Sequence, residues 1–140
     1  MSTTIKPELS QDNKYYISKH RYYELLHFCR QYTEFLAEKQ KLMDTYIRPV
    51  LHHESVLHTE PDTEYTANFA LKIGLIDDYI TMIEQTAVDT DEQLSGYILL
   101  AVTSGLGFDA MKARYDVPCS RGTFYDRYRK FFWILDQKRR

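Results

Sequence analysis

Apolar residues recur at helical spacing along most of this chain, with polar residues between them. The first run places four residues at i, i+3, i+4 and i+7, which are Tyr22, Leu25, Leu26 and Cys29. That spacing predicts one buried face of an amphipathic helix, for which Ser18 is the expected N-cap. Thr33 is the expected cap of a second helix, and the sequence leaves open whether residues 31–33 interrupt one longer helix.

The third predicted helix is the longest, and it is apolar on two sides. Its start is expected at residues 59–62, where a hydroxyl cap, a proline and carboxylates come together. One side is a heptad-like seam of six residues, which are Phe69, Ile73, Ile76, Ile80, Ile83 and Ala87, and the first five are the candidate dimerisation residues. The other side is a stripe of four residues, which are Leu71, Leu75, Tyr79 and Met82. Since both sides must be covered, the seam is either the core of a monomer or a dimerisation surface, and we predict a homodimer.

The last part of the chain predicts three shorter helices. A capping box at residues 90–93 is expected to begin a helix that ends near Gly105. A brief helix from Phe108 to about Tyr115 follows, and Ser120 is the expected cap of a final helix. That helix carries four large residues on one face, which are Phe124, Tyr128, Phe131 and Leu135. The predicted fold is therefore all-α, a helical bundle with a long central helix and a C-terminal helix–turn–helix.

The composition is that of a protein with a packed core. The 140 residues are 44% hydrophobic and 14% aromatic, and five glycines and four prolines are few for an all-β protein. No apolar run approaches the roughly 18 residues that span a bilayer, and no signal-peptide pattern follows the first residue. We therefore expect a cytoplasmic protein without membrane contacts, in which Cys29 and Cys119 are reduced.

Charge is strongly polarised along the chain. Residues 111–140 hold nine of the 18 Lys and Arg residues but only three of the 20 acidic ones, a net charge of +6, whereas residues 1–110 carry −8. An anionic polymer would be attracted to one end of the chain and repelled by the rest. We divide the chain into a flexible tail at residues 1–13, an acidic helical region at 14–89 and a DNA-binding helix–turn–helix region at 90–140.

The final helix combines an apolar face with the cationic face that a recognition helix presents to the major groove. Reading of base edges is predicted for four of its residues, which are Arg121, Tyr125, Asp126 and Arg129. Neutralisation of phosphates is predicted for Lys112, Arg114, Arg127 and Lys130. Two hydroxyl groups and an open backbone position complete the candidate DNA-binding set, since they suit a phosphate oxygen, and these are Ser120, Thr123 and Gly122.

The sequence contains no recognisable metal-binding or catalytic motif. His53 and His58 are five residues apart, which does not place them on one helical face as a zinc motif requires, and His52 adds no suitable spacing. No cysteine pair completes a zinc site, and no catalytic motif is present. The sequence therefore predicts no metal, no cofactor and no enzymatic activity.

Two segments resemble known DNA-binding families. Residues 120–125, Ser-Arg-Gly-Thr-Phe-Tyr, look like the start of the recognition helix in TetR-type repressors, although here they lie near the C-terminus and Pro118-Cys119 lengthens the turn. The layout of residues 14–138, with YYISKHRYYEL at 15–25 and FYDRYRKFFW at 124–133, resembles small phage and prophage regulators of the ArpU/RinA type in Firmicutes. Those regulators end in a helix–turn–helix like that of sigma region 4. The resemblance implies late-gene transcription control inside a bacterial host cell.

Together these observations predict a sequence-specific regulator of phage or prophage transcription that binds double-stranded DNA as a homodimer. Host RNA polymerase or another host protein is a candidate further partner. The alternative is a non-enzymatic helical phage protein that binds and modulates a host protein.

Overall fold

The structure is a computed structural model that describes residues 10–47 and 63–140, and every regular element in these residues is a helix. The elements are α1 (Lys19–Arg30), α2 (Tyr32–Leu42), a π-helical turn (Met43–Ile47), α3 (Thr63–Thr90), α4 (Ser95–Ser104), α5 (Phe108–Arg114) and α6 (Arg121–Lys138). The prediction of an all-α protein is confirmed for this part of the chain. No helix in it is long and apolar enough to cross a membrane.

The first two helices are separated by a single residue. Ser18 caps α1 as predicted, and its Oγ accepts a hydrogen bond from the Arg21 amide at 3.4 Å. Gln31 ends α1, and α2 begins at the next residue. The prediction that Thr33 caps the second helix is wrong, because Thr33 already lies in its first turn.

The heptad-like seam of α3 is largely buried within one chain. Ile76, Ile80 and Ile83 are buried, and Phe69 and Ile73 are half-buried. These burials agree with the alternative that the seam is a monomer core, while the homodimer stays a prediction. The predicted start of this helix at residues 59–62 lies outside the described residues.

The second stripe of α3 is partly uncovered. Leu71 is 73% exposed and Leu75 is 51% exposed, whereas Tyr79 and Met82 are half-buried. Leu71 and Leu75 of this stripe are therefore more exposed than any residue of the seam.

The capping box predicted at residues 90–93 is wrong. Thr90 is still helical and buried, and its Oγ1 donates a hydrogen bond to the Thr86 carbonyl at 2.7 Å. Asp91 caps the next turn instead, because its Oδ1 accepts hydrogen bonds from the amides of Gln93 and Leu94, both at 3.1 Å. A threonine that continues the helix can bond back to the carbonyl four residues earlier, and its hydroxyl is then not available as a cap.

Gly105 ends α4 as predicted. Its φ of 83° lies in the left-handed region, and its amide donates to the Ala101 carbonyl at 2.9 Å. A Cβ at this position would lie 2.8 Å from the Arg30 guanidinium nitrogens. The Arg30 guanidinium is the end of a flexible side chain and can shift, so it is the backbone angle that favours glycine here.

The chain forms two compact units, one of residues Met1–Tyr32 and Met82–Arg140 and one of residues Thr33–Thr81. In the first unit, α6 packs on α1, α4 and α5. The predicted inner face of α6 is confirmed, since its four residues, Phe124, Tyr128, Phe131 and Leu135, are all buried. Phe132 is buried beside them.

In the second unit, ion pairs link α2 to α3. Lys39 lies 2.5 Å from Asp77, and Lys72 lies 3.2 Å from Glu38. The boundary predicted at residue 13 rests on the lack of apolar periodicity in residues 1–13, of which residues 1–9 lie outside the described ranges. The boundary predicted at residue 89 rests on charge and motif, and both stay predictions.

Candidate nucleic-acid interface

The start of α6 is capped and exposed. Ser120 has an extended backbone, and its Oγ accepts a hydrogen bond from the Thr123 amide at 3.2 Å. The same hydroxyl donates to Thr123 Oγ1 at 3.0 Å. Gly122 is also exposed, and a Cβ there would have no neighbour within 4 Å. This turn can therefore be approached closely by another surface.

Arg121 is held on this exposed turn by two contacts. Its Nη1 donates to Asp109 Oδ2 at 2.9 Å, and its Cζ lies 5.5 Å from the centroid of the Tyr125 ring. The Tyr125 hydroxyl in turn accepts a hydrogen bond from the Phe108 amide at 3.2 Å. The Arg121 side chain stays 57% exposed, so the guanidinium is oriented without being covered.

Arg127 is engaged within the fold. Its Nε donates to Asp91 Oδ2 at 3.1 Å, and its Nη1 donates to Asp126 Oδ2 at 2.6 Å. The hydrogen bond to Asp91 is the main reason that the pKa of Arg127 is raised. Arg127 and Asp126 are half-buried and balance each other's charge, so contact with a nucleic acid would require Arg127 to exchange its carboxylate partners.

Lys112 braces the turn before α6. Its Nζ donates to the Val117 carbonyl at 2.8 Å and lies 3.7 Å from Asp116 Oδ1. Because an ammonium group has three donors, one can remain for a phosphate oxygen.

Three cations of the predicted set have no counterion among the described residues. Arg114, Arg129 and Lys130 form no hydrogen bond or ion pair within residues 10–47 and 63–140. Arg114 is exposed, and Arg129 and Lys130 are half-buried. Their charges are therefore not neutralised by any acid among the residues that the structure describes.

The cations at the end of the chain already interact with acidic or aromatic side chains. Lys138 lies 2.8 Å from Asp89, and Arg140 lies 3.0 Å from Asp136. Arg139 lies over the Phe28 ring at 3.8 Å. The positive charge that the sequence concentrates in residues 111–140 is thus partly balanced by acids from α3 and α6.

Two acidic residues of this surface, Asp91 and Asp109, were not selected from the sequence. They pair with arginines 36 and 12 residues away, and no local spacing signals a contact of that kind. The one feature of the sequence that indicates Asp91 and Asp109 as partners of an arginine is that each carries a carboxylate.

The remaining candidate chemistry can be placed only in part. Cys29 and Cys119 are free thiols, and burial raises the pKa of both, more so for the deeply buried Cys29. No group of three metal-ligating side chains occurs in the described ranges. His52, His53 and His58 lie outside them.

Comparisons of the chain with family models, with curated proteins and with solved structures find no match.

Proposed function

We propose that the protein is a sequence-specific regulator of transcription that binds double-stranded DNA through α5, the following turn and α6. In this proposal the chain is a helical bundle with a long central helix, and α5 and α6 form a C-terminal helix–turn–helix. α6 acts as the recognition helix, because it buries one apolar face and carries cations on the remainder of its surface.

The observation that carries the proposal is the set of cations that have no counterion in the part of the chain that the structure describes. Arg129 and Lys130 on α6 and Arg114 at the end of α5 have no acidic partner in the described part of the chain. Uncompensated arginine and lysine side chains favour binding to phosphates, since such contacts release counterions from DNA. The open first turn at Gly122 supports the same surface, because a backbone without a side chain can approach a phosphate closely.

The structure changes which residues we assign to the interface. Arg121, Arg129, Lys130 and Arg114 are its proposed cations, with Lys112 through a free donor of its ammonium group. Arg127 and Asp126 are proposed to stabilise the fold, because they bind each other and Asp91.

The biological setting is proposed from the resemblance described above. A regulator of the ArpU/RinA type would act on phage or prophage late genes inside a bacterial host, with host RNA polymerase or another host protein as a further partner. A homodimer would place two copies of α6 on two half-sites. Selection of bound fragments from random duplex DNA tests this proposal, since a dimer selects a repeated half-site and a monomer selects a single one.

The salt dependence of binding to the selected duplex is the direct test. Fluorescence anisotropy titrations at several salt concentrations should give a log–log slope of about −0.9 for each phosphate contacted. The double variant Arg129→Ala, Lys130→Ala should weaken binding and flatten the slope. Failure to select any duplex, or affinity that does not depend on salt, would refute the proposal.

A second candidate function is supported by the exposed leucines of α3. Leu71 and Leu75 offer an apolar surface that a host protein could cover, which fits a phage protein that binds and modulates its host. An apolar protein interface responds weakly to salt, so the titrations separate the two candidates. Leu71→Lys should abolish capture of such a partner and leave DNA binding unchanged.

A further inference from the structure

We propose that Arg121 reads a guanine in the DNA target and that Asp109 and Tyr125 position its guanidinium for that contact. This inference rests on the proposed DNA-binding function. It assigns base recognition to one arginine and gives the other cations of the surface a different task.

The contacts of Arg121 leave open the edge of the guanidinium that is suited to binding guanine. Asp109 binds Nη1, and Nε and Nη2 donate to no acceptor in the described part of the chain. The edge formed by Nε and Nη2 carries two parallel N–H donors. Guanine presents two acceptors, N7 and O6, in the major groove, and it is the only base that accepts both of these hydrogen bonds.

Orientation before binding is what distinguishes Arg121 from Arg114, Arg129 and Lys130, which have no bound partner in the described residues. An exposed ion pair contributes little to the free energy of folding, so stabilising the fold does not account for the pair between Arg121 and Asp109. Together with the Tyr125 ring, however, it limits the rotamers of a side chain that is 57% exposed. A guanidinium that is already oriented loses less conformational entropy when it binds a base.

Tyr125 is itself fixed. Its hydroxyl accepts the hydrogen bond from the Phe108 amide, and its ring lies against the ring of Phe124, with centroids 5.5 Å apart. Since its hydroxyl is engaged and its ring faces Arg121, Tyr125 is better suited to support the arginine than to read a base.

Arg129 and Lys130 differ in this respect. Neither has a partner that fixes its side chain within the described residues. Flexible cations suit phosphate oxygens, which accept contacts from many directions and carry no sequence information. The surface therefore has one oriented arginine for sequence, whereas Arg129 and Lys130, which have no bound partner in the described residues, contribute affinity.

The test compares base preference with overall affinity, using the duplex selected from random DNA and the same duplex with each G·C pair replaced in turn. Arg121→Lys keeps the charge but removes the two-donor edge, and it should reduce preference at one G·C position by about tenfold or more. Affinity for the substituted duplex should fall much less. Arg114→Lys is the matched control, and it should leave the preference at every position unchanged.

Asp109→Asn and Tyr125→Phe test the positioning role. Asp109→Asn keeps an acceptor but loses the charge, and it should relax preference at the same G·C position by a smaller factor. Tyr125→Phe keeps the ring but loses the hydroxyl that binds the Phe108 amide. It should also relax the preference at that G·C position. A purely structural role would change affinity for both duplexes equally.

The outcomes separate the two proposals. If Arg121→Lys weakens both duplexes equally, or changes preference at no position, the guanine assignment fails while DNA binding stands. If Asp109→Asn leaves the preference intact, the positioning role of Asp109 fails. If the unaltered protein binds no duplex at all, both proposals fail.

Discussion

Arg21, near the start of α1, binds Asp136, near the end of α6, with Nε 2.7 Å from Oδ1. The Asp136 side chain is only 8% exposed, and Arg140 Nη2 binds its second oxygen at 3.0 Å. Arg21 Nη2 also donates to the backbone carbonyls of Asp136 and Arg139, both at 3.3 Å. Burial alone would raise the pKa of Asp136, but the two arginines outweigh it and lower that pKa below its usual 3.8. One arginine thus joins the first helix of the unit to the last.

Arg21→Met should destabilise the protein by about 1–3 kcal/mol at pH 7, because the buried Asp136 carboxylate loses one of its two arginine partners and two carbonyls lose the Arg21 donor. Urea unfolding followed by circular dichroism would measure the loss. Arg114→Met is the matched control, since Arg114 is exposed and unpaired in the described ranges, and it should change the free energy of unfolding by less than about 0.5 kcal/mol.

The effect of Arg21→Met should depend on pH. A carboxylate with a lowered native pKa stabilises the fold fully above its unfolded pKa, near 4, and this contribution is lost as the pH falls through the native pKa. The cost of the substitution should therefore shrink in acid, although the bonds to the two carbonyls persist. An undiminished cost at pH 3 would contradict the role assigned to the ionised Asp136.

A buried hydroxyl pair joins the same two helices. Tyr22 Oη lies 2.7 Å from Tyr128 Oη, and burial raises the pKa of both phenols. Tyr22→Phe should cost about 1–3 kcal/mol in the free energy of unfolding, because it leaves the Tyr128 hydroxyl buried without a partner. The double variant Tyr22→Phe, Tyr128→Phe should cost less than the sum of the two single variants in urea unfolding. Strictly additive costs would show that the two hydroxyls do not depend on each other.

The sequence predicted those features of the fold that depend on local spacing. The face of α6 through Phe124 and Tyr128 is visible as a helical repeat, and Ser18 and Ser120 stand directly before the helices that they cap. The predictions that Thr33 and Thr90 cap helices are wrong, since both residues lie inside a helix. A helix that continues through a threonine can have the same local sequence as a helix that begins there.

The candidate site was less predictable for the same physical reason. The cations of α6 could be selected by type, but their availability depends on acids far away in sequence. Asp91 engages Arg127, and Asp89 engages Lys138, while Lys130 has no such partner in the described residues. Net charge along the chain therefore predicts which end attracts an anion, and tertiary contacts decide which side chains remain free to bind it.

Gly105 should be sensitive to substitution. Gly105→Ala should destabilise the protein by more than about 1 kcal/mol, because φ is 83°, a backbone angle that an L side chain strains. Gly74→Ala is the control, and its effect on stability should have the opposite sign. Gly74 lies inside α3 with nothing within 4 Å of a Cβ, so alanine should stabilise the helix by up to about 1 kcal/mol. Equal thermal shifts for the two variants would contradict the assigned backbone strain.

Lys130 and Lys138 provide a matched test of which cations contact DNA. Both lie on α6, but Lys138 is paired with Asp89 at 2.8 Å, whereas Lys130 has no counterion in the described part of the chain. Lys130→Ala should reduce the log–log salt slope of duplex binding by about 0.9, the contribution of one phosphate contact. Lys138→Ala should leave the slope unchanged, because its charge is already balanced by Asp89 before DNA binds. Anisotropy titrations of the two variants, run over the same salt series, would measure both slopes. A slope lowered equally by both substitutions would mean that the ion pair with Asp89 does not withhold Lys138 from DNA.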